Sequence, residues 1–266
     1  MTGAHPVRDT LTMVRRNLRR MRRYPALTVM LVFLPVVFLL LFVDVFGRTL
    51  GNGLGGPTGG RSGYANYVTP AIILLTVASG ATGTAISVAS DMSEGIIDRF
   101  RTMAIWRPAV LAGHVLASMI QTMVAVAVVV AVALLVGFRP AAGALAWLAT
   151  IGVLAMIIVA LTWLSVALGL VAKSVESASN SPMFLMLLPF LGSGFVPTGS
   201  MPTGWRQFAT YQPFTSFTDT LRGLLTGSPI GNHAALSAGW CVAIAFAGYL
   251  WAVARYNRGP RLAPAQ

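Results

Sequence analysis

Residues 91–108 read DMSEGIIDRFRTMAIWRP and separate two long apolar stretches of the chain. This segment carries three of the seven carboxylates, and on a helical projection they lie opposite its large apolar side chains. Asp91 and Glu94 have the spacing of a capping box, which favours a helix that begins at Asp91. On its pattern alone the segment is equally compatible with a solvated linker, because charged amphipathic runs are common.

The stretches on either side belong to a chain with the composition of an integral membrane protein. The mean hydropathy is +0.74, and 10% of the 266 residues are charged, against about 25% in an ordinary soluble domain. A helix needs about 20 apolar residues to cross the hydrocarbon layer. We predict an all-α fold with one transmembrane domain over residues 1–266. Its six predicted spans are 26–46, 65–90, 109–137, 144–172, 182–197 and 234–254.

Basic residues between these spans predict the orientation of the chain. The net charge is +12, and most arginines flank apolar stretches, which indicates topology determinants rather than a nucleic-acid surface. With both termini in the cytoplasm, fourteen basic residues lie inside and five outside. The positive-inside rule therefore favours six spans and puts 91–108 on the cytoplasmic side. One lysine against eighteen arginines is typical of a high-GC bacterial genome, so we predict the bacterial cytoplasmic membrane.

The basic segment 8–24 predicts an amphipathic helix on the cytoplasmic surface of the membrane. Its apolar residues recur at helical spacing, and arginines cover the other face. Arg15, Arg19 and Arg22 would then lie among anionic lipid headgroups. The alternative is a plain positive anchor that only fixes topology, which gives the same cytoplasmic N-terminus.

Residues 198–232 predict short helices at the outer membrane face, between the fifth and sixth spans. The segment mixes proline, glycine and aromatic residues with a few charges. It is therefore too polar to span the membrane and too aromatic for a free loop. Its marked side chains are Trp205, Pro213, Phe214 and Arg222.

Polar residues within the spans favour structural roles. Asp44 lies near the end of the first span, where its carboxylate can reach the interface, and a proton-relay acid is the alternative. Ser79, Gly83 and Ser87 recur every four residues, which predicts a face for close helix packing, with a polar substrate path as the alternative. His114, near the start of the third span, is predicted to be a hydrogen-bonded packing residue, with a ligand or proton carrier as the alternative.

The sequence contains no motif of an enzyme active site. It has no P-loop, no paired-histidine metal motif and no nucleophile elbow, and Cys241 is the single cysteine. We therefore predict that the chain is not itself an enzyme and that it binds no cofactor or metal.

Three short motifs, in this order among six spans, resemble the membrane subunits of type 2 ABC exporters, particularly the daunorubicin-resistance-like permeases. The motifs are Arg23-Tyr24-Pro25 with Pro35 in the first span, the run from Glu94 to Arg101, and the run from Ser193 through Pro213 to Gly223. The resemblance covers nearly the whole chain. The sequence departs from the family pattern at Ala104, His114 and Gln212.

This resemblance implies a half-transporter. Two six-span permeases would pair, and each would bind a separate cytosolic ATPase subunit that holds ATP and Mg²⁺. The segment between spans two and three would be the coupling helix, which carries closure of the ATPase to the spans. The contact residues would be Glu94, Gly95, Asp98, Arg99 and Arg101, with Glu176 in a second contact. The outer gate would be formed by Trp205, Pro213, Phe214 and Arg222.

The function that this resemblance implies is ATP-driven export of an amphiphilic drug, antibiotic or lipid. Two other classes stay open on the sequence. A proton-coupled secondary transporter would place ionisable residues near the middle of its spans. A membrane scaffold without transport would use 91–108 only as a docking site.

Overall fold

The computed structural model describes residues 6–23, 25–49, 60–96 and 107–257. Within these ranges the chain forms helices joined by turns, and it forms no β-strand. The predicted all-α class is confirmed. The helices are α1 Pro6–Arg23, α2 Pro25–Leu40, α3 Arg61–Ser93, α4 Arg107–Val136, α5 Ala144–Val171, α6 Val175–Asn180, α7 Met183–Leu187, α8 Thr203–Tyr211, α9 Pro213–Thr226 and α10 His233–Asn257. A π-helical turn, Leu41–Val45, extends α2, and Thr198–Ser200 forms a 3₁₀ turn.

Five helical segments of the described chain are long and apolar enough to cross a membrane. They are Thr28–Val45, Arg61–Ser93, Ala109–Val136, Ala144–Val171 and His233–Asn257. A lipid environment requires every backbone polar group to be paired within the protein, which long helices achieve by themselves. The chain is therefore a multi-pass membrane protein, as predicted.

The segment predicted as the fifth span, 182–197, is not one continuous helix. The chain here forms α7, which follows the short helix α6, and then a series of turns that ends at Phe195. Pro182 and Pro189 each lack the backbone N–H that a continuous helix would use, which accounts for the interruptions.

This broken segment nevertheless follows the length of α3. At the end of α5, Gly169 lies against Val88, near the C-terminal end of α3. Some twenty residues later, the carbonyl of Ser193 accepts a hydrogen bond of 2.8 Å from the hydroxyl of Tyr67, near the N-terminal end of α3. The described chain thus passes along the bundle six times, five times as a long helix and once as short helical pieces.

The central helix of the bundle is α3. Its side chains are buried on most sides between Tyr64 and Ala81, and it packs against α2, α4, α5 and α9. A Cβ atom added at Gly80 would lie 2.2 Å from the Oγ1 of Thr122 on α4. This glycine therefore permits the close approach of α3 and α4, as small residues do in membrane helix pairs.

The predicted packing face at Ser79, Gly83 and Ser87 is open at its central position. Gly83 is exposed, and no atom of the described residues lies within 4 Å of the Cβ that a larger residue would carry there. The close approach falls at Gly80 instead, on the neighbouring face of α3. An α-helix has 3.6 residues per turn, so two residues three apart are rotated by about 300° around the helix axis. Gly80 and Gly83 therefore face different neighbours.

A second close helix contact joins α5 and α10. A Cβ atom at Gly248 would lie 2.7 Å from the backbone nitrogen of Leu164 and 2.8 Å from the carbonyl carbon of Trp163. Beside it, the rings of Trp163 and Tyr249 meet edge to face with centroids 5.0 Å apart. The last span is therefore held against α5 by backbone proximity as well as by side chains.

Candidate functional site

A fully buried carboxylate, Asp91, lies in the last turn of α3. The guanidinium of Arg16 donates to its Oδ2 at 2.7 Å, and that of Arg20 donates to its Oδ1 at 2.5 Å. The Nε2 of His114, on α4, lies 3.2 Å from Oδ2. We call these four residues the Asp91 cluster. Three helices, α1, α3 and α4, meet at this one side chain.

The position of Asp91 corrects two sequence predictions. It was predicted to begin a helix, but α3 continues through it and ends at Ser93, with Gly95 in a left-handed turn at φ 66°. It was also predicted to face away from the apolar side chains. Because α3 is continuous, Asp91 shares the face of Val88 and Thr84, both of which are buried. The helical projection that placed Asp91 on the outer face assumed a new helix at Asp91, whereas α3 is continuous through this residue.

Glu94, by contrast, is exposed at the end of α3. Its carboxylate accepts a hydrogen bond of 3.0 Å from the hydroxyl of Ser90 and lies 3.9 Å from Arg20. Arg20 therefore touches both carboxylates of this turn. Gly95 follows Glu94 in the turn, and the other predicted contact residues, Asp98, Arg99 and Arg101, lie outside the described residues.

Glu176 lies in the first turn of α6 and is exposed. Ser174 caps this helix, since its hydroxyl oxygen accepts a hydrogen bond of 3.1 Å from the backbone N–H of Ser177. Hydrogen bonds from its own backbone N–H and from the Ser174 hydroxyl lower the pKa of the Glu176 carboxyl below its ordinary value. Because α6 follows the end of α5, which packs near Val88, Glu176 and Glu94 lie at the same end of the bundle.

The arginines of α1 divide between two faces. Arg16 and Arg20 turn inward to Asp91, whereas Arg15 and Arg19 are exposed. The backbone of Arg22 belongs to α1, and its side chain lies outside the described set. The helix is thus amphipathic, as predicted, but its inner face carries two of its charges.

A second polar cluster lies near the other end of the bundle. Arg222, on α9, donates to the Oδ1 of Asp219 at 2.7 Å and to the carbonyl of Ser193 at 2.8 Å. Its guanidinium lies 3.9 Å from the centre of the Tyr67 ring, within the range of a cation–π interaction. The hydroxyl of Ser193 donates to the same Asp219 oxygen at 2.7 Å. These four residues, the Arg222 cluster, tie α9 to α3 and to the broken segment.

The four side chains predicted for an outer gate do not come together. Trp205 is exposed on α8, and Phe214 is fully buried in α9, 5.7 Å from the ring of Phe217. Pro213, the first residue of α9, lines a cleft of about 600 Å³ between α8 and α10. Only Arg222 belongs to the polar cluster. Its partner Asp219 could have been found from the sequence, because residues three apart on a helix are neighbours.

Residues 8–226 match the sequence model described as ABC-2 type transporter. The chain belongs to this family. The match runs from the third residue of α1 to the end of α9 and includes both polar clusters.

Two permeases are similar to this ABC-2 chain over most of their length. The daunorubicin resistance ABC transporter permease protein DrrB1 of Streptomyces coeruleorubidus is 32% identical over 208 residues, which cover 77% of this chain and 70% of that protein. The probable doxorubicin resistance ABC transporter permease protein DrrC of Mycobacterium tuberculosis is 27% identical over 225 residues, which cover 84% of this chain and 79% of that protein. The chain is a type 2 ABC exporter permease, and the resemblance inferred from its motifs is confirmed.

Proposed function

We propose that this permease couples to a separate ATPase subunit through the end of the bundle that holds Glu94 and Glu176. The observation that carries the proposal is that both exposed carboxylates lie at the end where α3 stops and α4 begins. Gly95, Asp98, Arg99 and Arg101 complete this docking surface in the proposal. The surface is negatively charged at its two described carboxylates, so a basic cleft on the ATPase subunit would be complementary to it.

ATP and Mg²⁺ are held by the partner subunit in this proposal. ATP favours the closed ATPase pair, and it can shift the spans only if the docked surface binds the two ATPase states differently. The segment from Asp91 to Pro108 is the connection through which that difference acts. In this orientation, the end of the bundle with Glu94 and Glu176 and both chain termini lie on the cytoplasmic side of a bacterial membrane.

Transport would take place between two permease subunits. The cargo that fits is an amphiphilic drug, antibiotic or lipid, because the relatives carry daunorubicin and doxorubicin resistance in their names and the described spans are apolar. The outer segment, residues 198–232, would close the path. Arg15, Arg19 and Arg22 would lie at anionic headgroups, where each basic residue contributes about 1 kcal/mol.

Little favours a proton-coupled transporter. Such a protein would carry an ionisable group near the middle of its spans. Among the described residues, the buried and half-buried carboxylates are Asp91, Asp219 and Asp9. The first two lie toward opposite ends of the bundle, and Asp9 lies in α1, outside the spans.

Reversing the charge of Glu94 or Glu176 is the direct test of the docking surface. We expect Glu94→Lys and Glu176→Lys each to weaken binding of the purified ATPase subunit about tenfold, or roughly 1.4 kcal/mol, because an attractive charge becomes a repulsive one. Binding is measured by titrating the ATPase subunit onto the permease in lipid nanodiscs.

The matched control is Asp44→Lys. Asp44 is an exposed carboxylate that pairs with Arg61 near the N-terminal end of α3, far from Glu94 along that helix. This change should leave ATPase binding as it is in the unaltered permease. Equal binding by all three variants would contradict the proposed surface.

A further inference from the structure

We infer that Asp91 fastens α1 to the coupling segment, residues 94–106 between α3 and α4, so that α1 moves with that segment when the ATPase subunit closes. Asp91 is in this view a positioning residue, and the inference rests on the proposed function. It concerns no residue of the docking surface itself. Its evidence is the Asp91 cluster together with the packing of α1 on α4.

The first observation is where the carboxylate lies in the chain. Asp91 precedes Glu94 by three residues, and His114 lies in the second turn of α4 after Arg107. The helix that enters the coupling segment and the helix that leaves it are therefore in contact at one side chain. Arg16 and Arg20 bring α1 to the same point from more than seventy residues away.

The second observation is the difference in burial within the cluster. The Asp91 side chain is 0% exposed, whereas Arg16 and Arg20 are 29% and 31% exposed. If α1 moved away alone, it would leave a buried carboxylate without its cations, which is strongly unfavourable. The arginines would lose less, because a guanidinium near the surface can turn to water or to headgroups. The carboxylate is therefore the member of the cluster that holds α1 in place.

The third observation is a contact that does not depend on charge. A Cβ atom added at Gly113 on α4 would lie 2.5 Å from the Cβ of Met13 on α1. Met13 is buried in this contact. The two helices thus meet at backbone distance one turn away from the Asp91 cluster. An element held both by close packing and by a buried ion pair moves as a unit with its neighbours rather than sliding past them.

A consequence follows for how a displacement would spread. If the docked ATPase pushes on 94–106, the end of α3 and the start of α4 move together, and α1 moves with them. The exposed face of α1 carries Arg15 and Arg19, which the proposed function puts at the membrane surface. The movement would then be resisted and guided by the lipid headgroups over the whole length of α1.

The test compares Asp91→Asn with Asp91→Glu. Asparagine keeps the shape and removes the charge that attracts both arginines, whereas glutamate keeps the charge. Spin labels are placed on exposed positions by the changes Leu11→Cys on α1 and Leu116→Cys on α4, with the buried Cys241 changed to alanine. The distance between the labels is measured in nanodiscs without the ATPase subunit, with it, and with it and bound ATP.

We expect the unaltered cluster to give one narrow distance that is the same in all three states. Asp91→Asn should broaden the distance distribution and change it on ATP binding. It should also lower transport per ATP hydrolysed at least fivefold, while binding of the ATPase subunit stays the same. Asp91→Glu should restore most of the transport ratio, which a residue needed only for folding would not do.

Two results overturn the inference. One is an α1–α4 distance that changes on ATP binding in the unaltered protein. The other is an Asp91→Asn variant with an unchanged distance and an unchanged transport ratio. If Asp91→Asn does not fold, Arg16→Gln serves in its place, since Arg20 still pairs with Asp91 and a smaller loss of the transport ratio is expected. If the ATPase subunit does not bind the unaltered protein, the proposed function is wrong. The inference is still tested in that case, because the distances measured without the partner decide whether Asp91 fastens α1.

Discussion

Replacing Gly248 with leucine is expected to prevent α10 from packing against α5. The Cβ of any larger residue would lie 2.7 Å from the backbone nitrogen of Leu164 and 2.8 Å from the carbonyl carbon of Trp163. These are backbone atoms of a helix, so they cannot rotate away as the end of a side chain can. The Trp163–Tyr249 ring contact beside the glycine would separate as well. We expect Gly248→Ala to cost about 1–3 kcal/mol and Gly248→Leu more than that.

Gly239 provides the control on the same helix. No atom of the described part of the chain lies within 4 Å of the Cβ position at Gly239, so Gly239→Leu should change the stability by less than about 0.5 kcal/mol. Both variants are compared by their yield as single species on size exclusion and by SDS-induced unfolding in mixed micelles. Unfolding of the two leucine variants at the same SDS fraction would contradict the close packing of α10 on α5.

Removing the guanidinium of Arg222 is expected to have the second largest effect. The side chain is 15% exposed and serves Asp219, the carbonyl of Ser193 and the ring of Tyr67 at once. Arg222→Ala would leave the largely buried Asp219 carboxylate without its cation and would remove one of the donors to the Ser193 carbonyl. We expect a loss of about 2–4 kcal/mol. We also expect α9 to separate from the broken segment.

Two other variants, Arg222→Lys and Arg206→Ala, serve as comparisons for Arg222→Ala. Arg222→Lys keeps the charge, but one ammonium group lacks the planar fork that reaches several acceptors, so an intermediate loss is expected. Arg206 is exposed on α8 and donates to the carbonyls of Gly199 and Met201, so Arg206→Ala should cost less than about 1 kcal/mol. Labelling of Ser193→Cys by a water-soluble maleimide should rise in Arg222→Ala and not in Arg206→Ala. Unchanged labelling in Arg222→Ala would show that the cluster does not hold α9.

The sequence was sufficient for the elements whose signal is local. Twenty or more consecutive apolar residues predict a span wherever they occur, because the hydrocarbon layer admits little else. The segment 182–197 was apolar enough to predict a span, but hydropathy does not register how often proline interrupts the backbone ladder. Its course became clear only from distant contacts such as that between Ser193 and Tyr67.

The Asp91 cluster shows the corresponding limit for the site. The phase of α3 could have been carried forward from Thr84 and Val88 to Asp91, and that would have predicted an inward carboxylate. The partners of Asp91 could not have been identified from the sequence, since Arg16 and Arg20 follow the same basic pattern as the exposed Arg15 and Arg19. Which arginines turn inward depends on where α1 meets α3 and α4.

The broken passage along α3 has a consequence for how this protein is made. Side chains from other elements donate hydrogen bonds to its backbone carbonyls: the carbonyl of Leu188 accepts one from Gln212, and that of Ser193 accepts one from Arg222. Both of these donors lie later in the chain, so the passage is made before them; until then the Ser193 carbonyl has the earlier Tyr67 hydroxyl as a donor, whereas the Leu188 carbonyl waits for Gln212. Unpaired carbonyls are costly in lipid. We expect a released chain truncated after residue 200 to expose Ser193→Cys to a water-soluble maleimide, and one truncated after residue 232 to protect it.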